Sequence, residues 1–362
     1  MRFLTTLLLL PAWMLTGCAA PGGLPAYPHP ISNNAVTSVP AADGNGTVYS
    51  FMGIIDPADT GTITPAAYAL DWPHADAWRR IADVPLDEGR ARIGASAVTI
   101  RERVFVVGGY SVLDDGSERT DPRLLEYVID EDRWVERAPP PVEVDDTLAV
   151  VQADRWLYLV SGWHGPAHDN VLDVQVWDIE TDEWRACTPL PGPGTGLFGH
   201  AGGIVSSDGG DTILVIDGVK RDPETRSFVI SDAVFVGAID PDDPTRIAWR
   251  EQSPHPGEPT YRAANASAGG AVLIAGGTST PYNIDGVGYD GTPAEPLAQM
   301  LAWSPGRGWS VSPAPAATMD HRGLVRVGDS WAVIGGMTAP RRATRAITVQ
   351  SPADRAEGNG TP

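Results

Sequence analysis

Val104-Phe105-Val106-Val107-Gly108-Gly109 is an apolar run closed by two glycines, and a comparable ending recurs five more times along the 362 residues. The pairs are Met52-Gly53, Gly108-Gly109, Ser161-Gly162, Asp217-Gly218, Gly276-Gly277 and Gly335-Gly336, spaced 56, 53, 56, 59 and 59 residues from one second member to the next. A period of this size marks a repeat architecture in which each unit leaves an apolar face for its neighbour to cover. Around the quoted run, Ala95–Val98, Val104–Val107, Leu124–Ile129 and Trp134-Val135 read as four short strands separated by turn signals, a small antiparallel sheet. Asp130-Glu131-Asp132 is the polar turn before the last strand, and Ile179–Glu183 repeats it before Trp184. Tryptophans at 78, 134, 184, 249 and 309 mark the outer strands, and prolines at 85, 139, 189, 254 and 313 follow them. Large indoles at such a recurring position are expected to pack between neighbouring sheets.

The glycine pair followed by a spaced tryptophan resembles the kelch repeat, and the resemblance covers residues 31 to 349. It implies an all-β fold, a six-bladed kelch-type β-propeller. Unit six offers Gly323–Val327, Trp331–Ile334 and Thr344–Val349 but no fourth strand. The stretch Asn33–Pro40 ends in proline as outer strands here do, so it is expected to close the ring by completing the last blade. The expected organisation is a signal peptide at 1–17, a lipidated spacer at 18–30, the propeller at 31–350 and a disordered tail at 351–362.

Arg2, the apolar stretch Leu4–Leu15 and then Leu15-Thr16-Gly17-Cys18 form an export signal too short to span ~30 Å of hydrocarbon as a stable helix. The last four residues resemble the bacterial lipobox, which implies lipidation of Cys18 and a monomer anchored at the cell envelope, at the outer membrane facing the periplasm. Only Cys187 remains besides Cys18, so no disulfide can form within the exported ring. Lys and Arg total 26 against 46 Asp and Glu, a net charge of −20 that repels phosphate backbones and argues against nucleic-acid partners.

Residues at the start of each innermost strand of a propeller ring one mouth of the central channel. Aligning the units on their glycine pairs places Arg92, Asp145, His200, Arg262 and Arg322 there. Arginines converging on one axis suit bidentate capture of a carboxylate, with acid–base groups beside it. Ion pairing between neighbouring blades is the alternative use of the same residues. The expected partner is a sugar acid or other carboxylated glycan, or a protein, bound without catalysis.

Among kelch families the chain is similar to the bacterial N-acetylneuraminate epimerases, through the run ending Val106-Val107-Gly108-Gly109, the run Thr212–Gly218 and the closing Ile347-Thr348-Val349. That resemblance implies sugar epimerisation or mutarotation as an alternative activity. The family's blade-four glutamate is missing, since the chain reads Asp217-Gly218-Val219-Lys220; Asp217 and His200 are the candidate substitutes, with Arg226 as a further ligand-binding candidate. His164 and His168 have a spacing compatible with metal ligation but no clear third ligand, so a flexible loop is the expectation. No metal and no cofactor is expected.

Overall fold

The structure, a computed structural model, describes residues 24–41, 45–192, 196–268 and 270–350. Residues 1–17, Cys18 and 351–362 lie outside the described residues. Six antiparallel sheets follow one another along the chain. Blade one is Ala35–Pro40, Gly46–Ile54, Ile63–Trp72 and Arg79–Ile81. Blade two is Ile93–Ile100, Arg103–Val112, Leu124–Val128 and Arg133–Arg137. Blade three is Leu148–Gln152, Trp156–His164, Asp169–Asp178 and Glu183–Ala186. Blade four is Ala201–Ser207, Gly210–Ile216, Val234–Ile239 and Ile247–Gln252. Blade five is Ala264–Ala268, Ala271–Ala275, Gln299–Ser304 and Gly308–Pro313. Blade six has three strands, Val325–Val327, Ser330–Ile334 and Ile347–Gln350. The fold is an all-β propeller of six blades.

A belt of hydrogen bonds around the axis makes the ring continuous. One residue with positive φ stands at the entrance to each innermost strand, ahead of it at Asn33, Asp146, Gly199, Arg262 and Asp320 and at its second residue at Gly94. Their amides link blade to blade: Asp146 N–H donates to Gly94 O (3.0 Å), Gly199 N–H to Asp146 O (2.8 Å) and Arg262 N–H to Gly199 O (2.8 Å). His321 N–H then donates to Arg262 O (3.0 Å), Asn33 N–H to Asp320 O (3.0 Å), and Gly94 N–H to the Asn33 side-chain oxygen (2.7 Å). Each bond satisfies a buried backbone donor and fixes the angular step to the next blade.

The repeated pairs are explained by the same geometry. Met52, Gly108, Ser161, Asp217, Gly276 and Gly335 all sit at φ between 47° and 70°. A side chain on Gly108 would meet Val144 O at 2.4 Å, and one on Gly335 would meet Ile31 O at 2.4 Å, so each backs onto the chain leading into the next blade. Where glycine is replaced, Ser161 and Asp217 accept hydrogen bonds from that lead-in instead, from Leu197 N–H (2.7 Å) and Thr260 N–H (2.9 Å).

Residues 33–40 do not complete blade six. Ala35–Pro40 pairs with Gly46–Ile54 as the innermost strand of blade one, in the register Ala35 to Phe51 through Pro40 to Gly46. Closure is made by residues 25–31 instead. Ile31 N–H donates to Thr344 O (3.1 Å), Gly336 N–H to Ile31 O (2.8 Å) and Tyr27 N–H to Arg345 O (2.9 Å). Trp134 donates its indole N–H to Ala82 O, Trp184 to Ala138 O and Trp249 to Thr188 O, each on the chain leaving the preceding blade. Trp78 donates to Pro25 O (3.1 Å). Residues 25–31 therefore stand where the exit of blade six would be. Part of the expected spacer is in this way seated on the ring, with Tyr27 fully buried and edge-on to Trp78 at 5.1 Å between ring centroids.

Candidate functional site

The axis carries two cavities separated by a buried charge cluster. On one side is the channel proper, about 570 Å³, lined by innermost-strand residues such as Thr37, Ser96, Thr147 and Ser267. On the other is a mouth of about 320 Å³, built from the lead-ins and from the loops after the second strands. Between them Arg262 holds Asp146 (2.6 Å) and Asp320 (3.4 Å), while Arg322 holds Asp146 (2.5 Å) and the Asn33 side-chain oxygen (2.8 Å). Asn33 in turn donates to Asp320 (3.2 Å). These side chains are almost wholly buried, so each charge depends on its partner.

Of the residues expected at the mouth, Asp145 and Arg262 line it. Arg322 lies across the cluster and lines the channel, because two residues of extended chain past Asp320 carry it beyond the belt. Arg92, two residues ahead of the belt at Gly94, turns into blade two and holds Asp121 at 2.6 Å. His200 sits below the mouth with Nε2 2.9 Å from the Val160 carbonyl, and burial lowers its imidazole to about 4, leaving it neutral. Asp217 is sealed between blades four and five, where His255 Nε2 donates to it at 2.8 Å. That geometry ties blades together and offers no open proton-transfer position. Arg226 is exposed on the rim and paired with Asp169 at 2.6 Å. Arg262 and Arg322 thus pair across the axis with Asp146 of blade three, Arg262 also pairs with Asp320 at the neighbouring blade six, and Arg92 pairs within its own blade. His164 Nδ1 lies 2.7 Å from Glu143 O, and among the described residues no group of three or more His, Cys, Asp and Glu side chains is arranged to hold a metal.

Of the rest of the lining, Tyr110 and Trp163 directly follow Gly109 and Gly162 in their second strands, and the other residues come from segments with no repeat register. Glu118, on Glu118–Thr120 alongside the second strand of blade two, accepts from the Asn283 amide at 2.8 Å across the mouth. Asn283 belongs to the loop 276–298 of blade five, which also reaches blade six through Asp285 and Arg341 (2.9 Å) and blade four through Tyr289 and Phe228, whose ring centroids are 4.4 Å apart. Phe228 and Trp163 form one wall, with the Arg221 guanidinium carbon 4.9 Å and 5.2 Å from their ring centroids. Tyr110 lines the cavity at 2% exposure and its hydroxyl has no hydrogen-bond partner among the described residues.

The two carboxyls bracketing this space are held toward the protonated form. Burial raises Asp145 well above the ordinary carboxylate range, reinforced by Asp146 and opposed by the Thr120 hydroxyl that donates to it at 2.6 Å. Burial likewise raises Glu118, opposed by Asn283. A carboxyl raised by folding contributes stability below the unfolded pKa, about 4, and that contribution is lost as pH climbs through the raised value. Asp145→Asn, which cannot ionise, is therefore expected to show a higher urea midpoint than the parent near pH 8 and nearly the same midpoint near pH 4. An equal or lower midpoint near pH 8 would contradict the assignment.

No protein-family model matches the chain. Over 129 residues, 33% of this chain, it is 27% identical to the human Kelch repeat and BTB domain-containing protein 12, and the match spans 20% of that protein's length. The solved structure of YjhT superposes with a TM-score of 0.70 over 92% of this chain and 98% of that one, at 17% identity. The fold is that of a kelch-repeat β-propeller. At this identity the likeness to YjhT concerns the fold alone.

Proposed function

We propose that this kelch propeller binds a small glycan in the mouth that Tyr110, Glu118, Asp145, Trp163 and Tyr289 line. The observation that carries the reading is the combination, in one cavity of about 320 Å³, of aromatic surface, two carboxyls without a cationic partner among the described residues, and the unpartnered Tyr110 hydroxyl. Sugars present apolar faces and hydroxyl edges together, and sites of this size orient a ligand with a few polar groups set in aromatic surface. A second reading, sugar isomerisation or mutarotation, is favoured by the elevated pKa of Asp145 and Glu118, since with one of the pair protonated and the other ionised the first can donate a proton while the second receives one. Under that reading these two replace Asp217 and His200 as the acid–base candidates.

Saturation-transfer NMR against a panel of mono- and disaccharides, N-acetylneuraminate included, tests the first reading. Binding that disappears in both Trp163→Ala and Tyr289→Ala is the expected outcome; binding unaffected by either variant would remove the mouth from consideration. The same samples report on the second reading, because anomer interconversion no faster than in buffer rejects it.

A further inference from the structure

We infer that the ligand of this mouth carries a protonated amine beside its sugar face, an amino sugar being the smallest example. The inference rests on the reading that the mouth is a glycan site and adds the charge of the glycan.

The first ground is which charges are already matched. Asp146 and Asp320 are neutralised by Arg262 and Arg322 within the buried cluster. Asp145 and Glu118 are different: their polar partners are the Thr120 hydroxyl and the Asn283 amide, both uncharged. Asp145 is buried and Glu118 half-buried, and an arriving cation draws such a carboxyl into its ionised form and gains more there than at an exposed one, because little water competes for it. Of the cations in the same lining, Arg262 is engaged by Asp146 and Asp320, and Arg221 lies over two aromatic rings.

The second ground is the wall. Arg221 over Trp163 and Phe228 shows those rings presenting their π faces to a cation, and Tyr289, stacked next in the same row, is 48% exposed and leaves ring surface open at the rim. Third, Tyr110 lines the cavity and its buried hydroxyl has no partner among the described residues, which leaves a ligand to supply one. The net charge of −20 also favours approach of cations over anions from a distance. The positions of the arginines had suggested a carboxylated ligand; their pairing leaves carboxyls as the unmatched groups.

Titration calorimetry with the purified protein and three matched probes, glucosamine, N-acetylglucosamine and N-acetylneuraminate, decides the matter. Glucosamine is expected to bind on the order of tenfold more tightly than N-acetylglucosamine, with N-acetylneuraminate weakest. Glu118→Gln, which keeps an acceptor for Asn283, is expected to abolish the preference for the amine, and Asp145→Asn to reduce it, while Tyr289→Ala weakens both neutral and cationic sugars. Equal affinity for glucosamine and N-acetylglucosamine, or tighter binding of N-acetylneuraminate, overturns the amine and leaves the glycan mouth standing. Binding that ignores Tyr289→Ala and Trp163→Ala, or no binding of any probe, overturns both.

Discussion

Arg262→Met is expected to lower the unfolding free energy by roughly 3–5 kcal/mol, the typical cost of leaving a buried charge without its partner. One guanidinium here serves Asp146 and Asp320, both almost fully buried, and also donates to the Asn283 carbonyl of the loop that crosses the mouth. Methionine fills similar space and leaves Asp320 without a cation, while Asp146 keeps only Arg322. Equilibrium urea unfolding measures the loss. Adding Asp320→Asn to Arg262→Met is expected to recover most of it, since Asp146 keeps Arg322 as its partner and a neutral group at 320 no longer requires a counter-ion. A single variant within about 1 kcal/mol of the parent would show the cluster to be dispensable.

Gly335→Val is expected to open the ring at one seam. The added side chain begins 2.4 Å from Ile31 O at a φ of +69°, so the chain leading into blade one must move, and Gly336 N–H loses its bond to Ile31 O. Strain of this backbone costs on the order of 1–3 kcal/mol by itself. Gly306→Val isolates that part, because Gly306 has φ +80° with nothing within 4 Å of an added Cβ. Limited proteolysis under native conditions is the readout: cleavage within residues 24–34 should accelerate in Gly335→Val and stay near the parent rate in Gly306→Val. Matching rates in the two variants would mean that Ile31 does not hold the seam.

The repeats were legible because the same backbone requirement recurs: wherever a second strand ends against the next blade, φ turns positive, and the sequence offers glycine at three of the six positions, Ser161 or Asp217 with a side chain that bonds across at two, and Met52 at the remaining one. The strands around Val104–Val107 and the missing fourth strand of blade six followed from apolar runs and turn residues. The closure did not. Pro40 ending a strand suits an outer strand, yet it equally suits an inner strand whose last residue pairs at the turn, as Pro40 does with Gly46. Pro25 and Ile31 replace an exit segment through backbone carbonyls, which no side-chain pattern advertises.

The site was legible only where it shares the repeat. Asp145 and Arg262 stand at or beside the belt and were found from the glycine register. Arg92 and Arg322, each two residues from the belt, were not placed correctly because a shift that small moves a side chain from the mouth to the blade interior or the far channel. Glu118, Asn283 and Phe228 come from segments whose lengths differ from blade to blade, so no alignment of units could bring them together, whereas Tyr110 directly follows Gly109 and shares the repeat register. Trp163 directly follows Gly162 in its second strand, and its convergence with Tyr289 depends on the 276–298 loop crossing the opening.

The salt-bridged cluster on the axis makes this molecule a pair of back-to-back cups instead of a pipe. Whatever settles among Trp163, Tyr289 and Glu118 reaches a dead end at Asp146, and must leave by the side it entered. Asp146 nonetheless grips Arg322, whose other flank borders the opposite cup, so a change of charge on one floor is felt through a single carboxylate on the other.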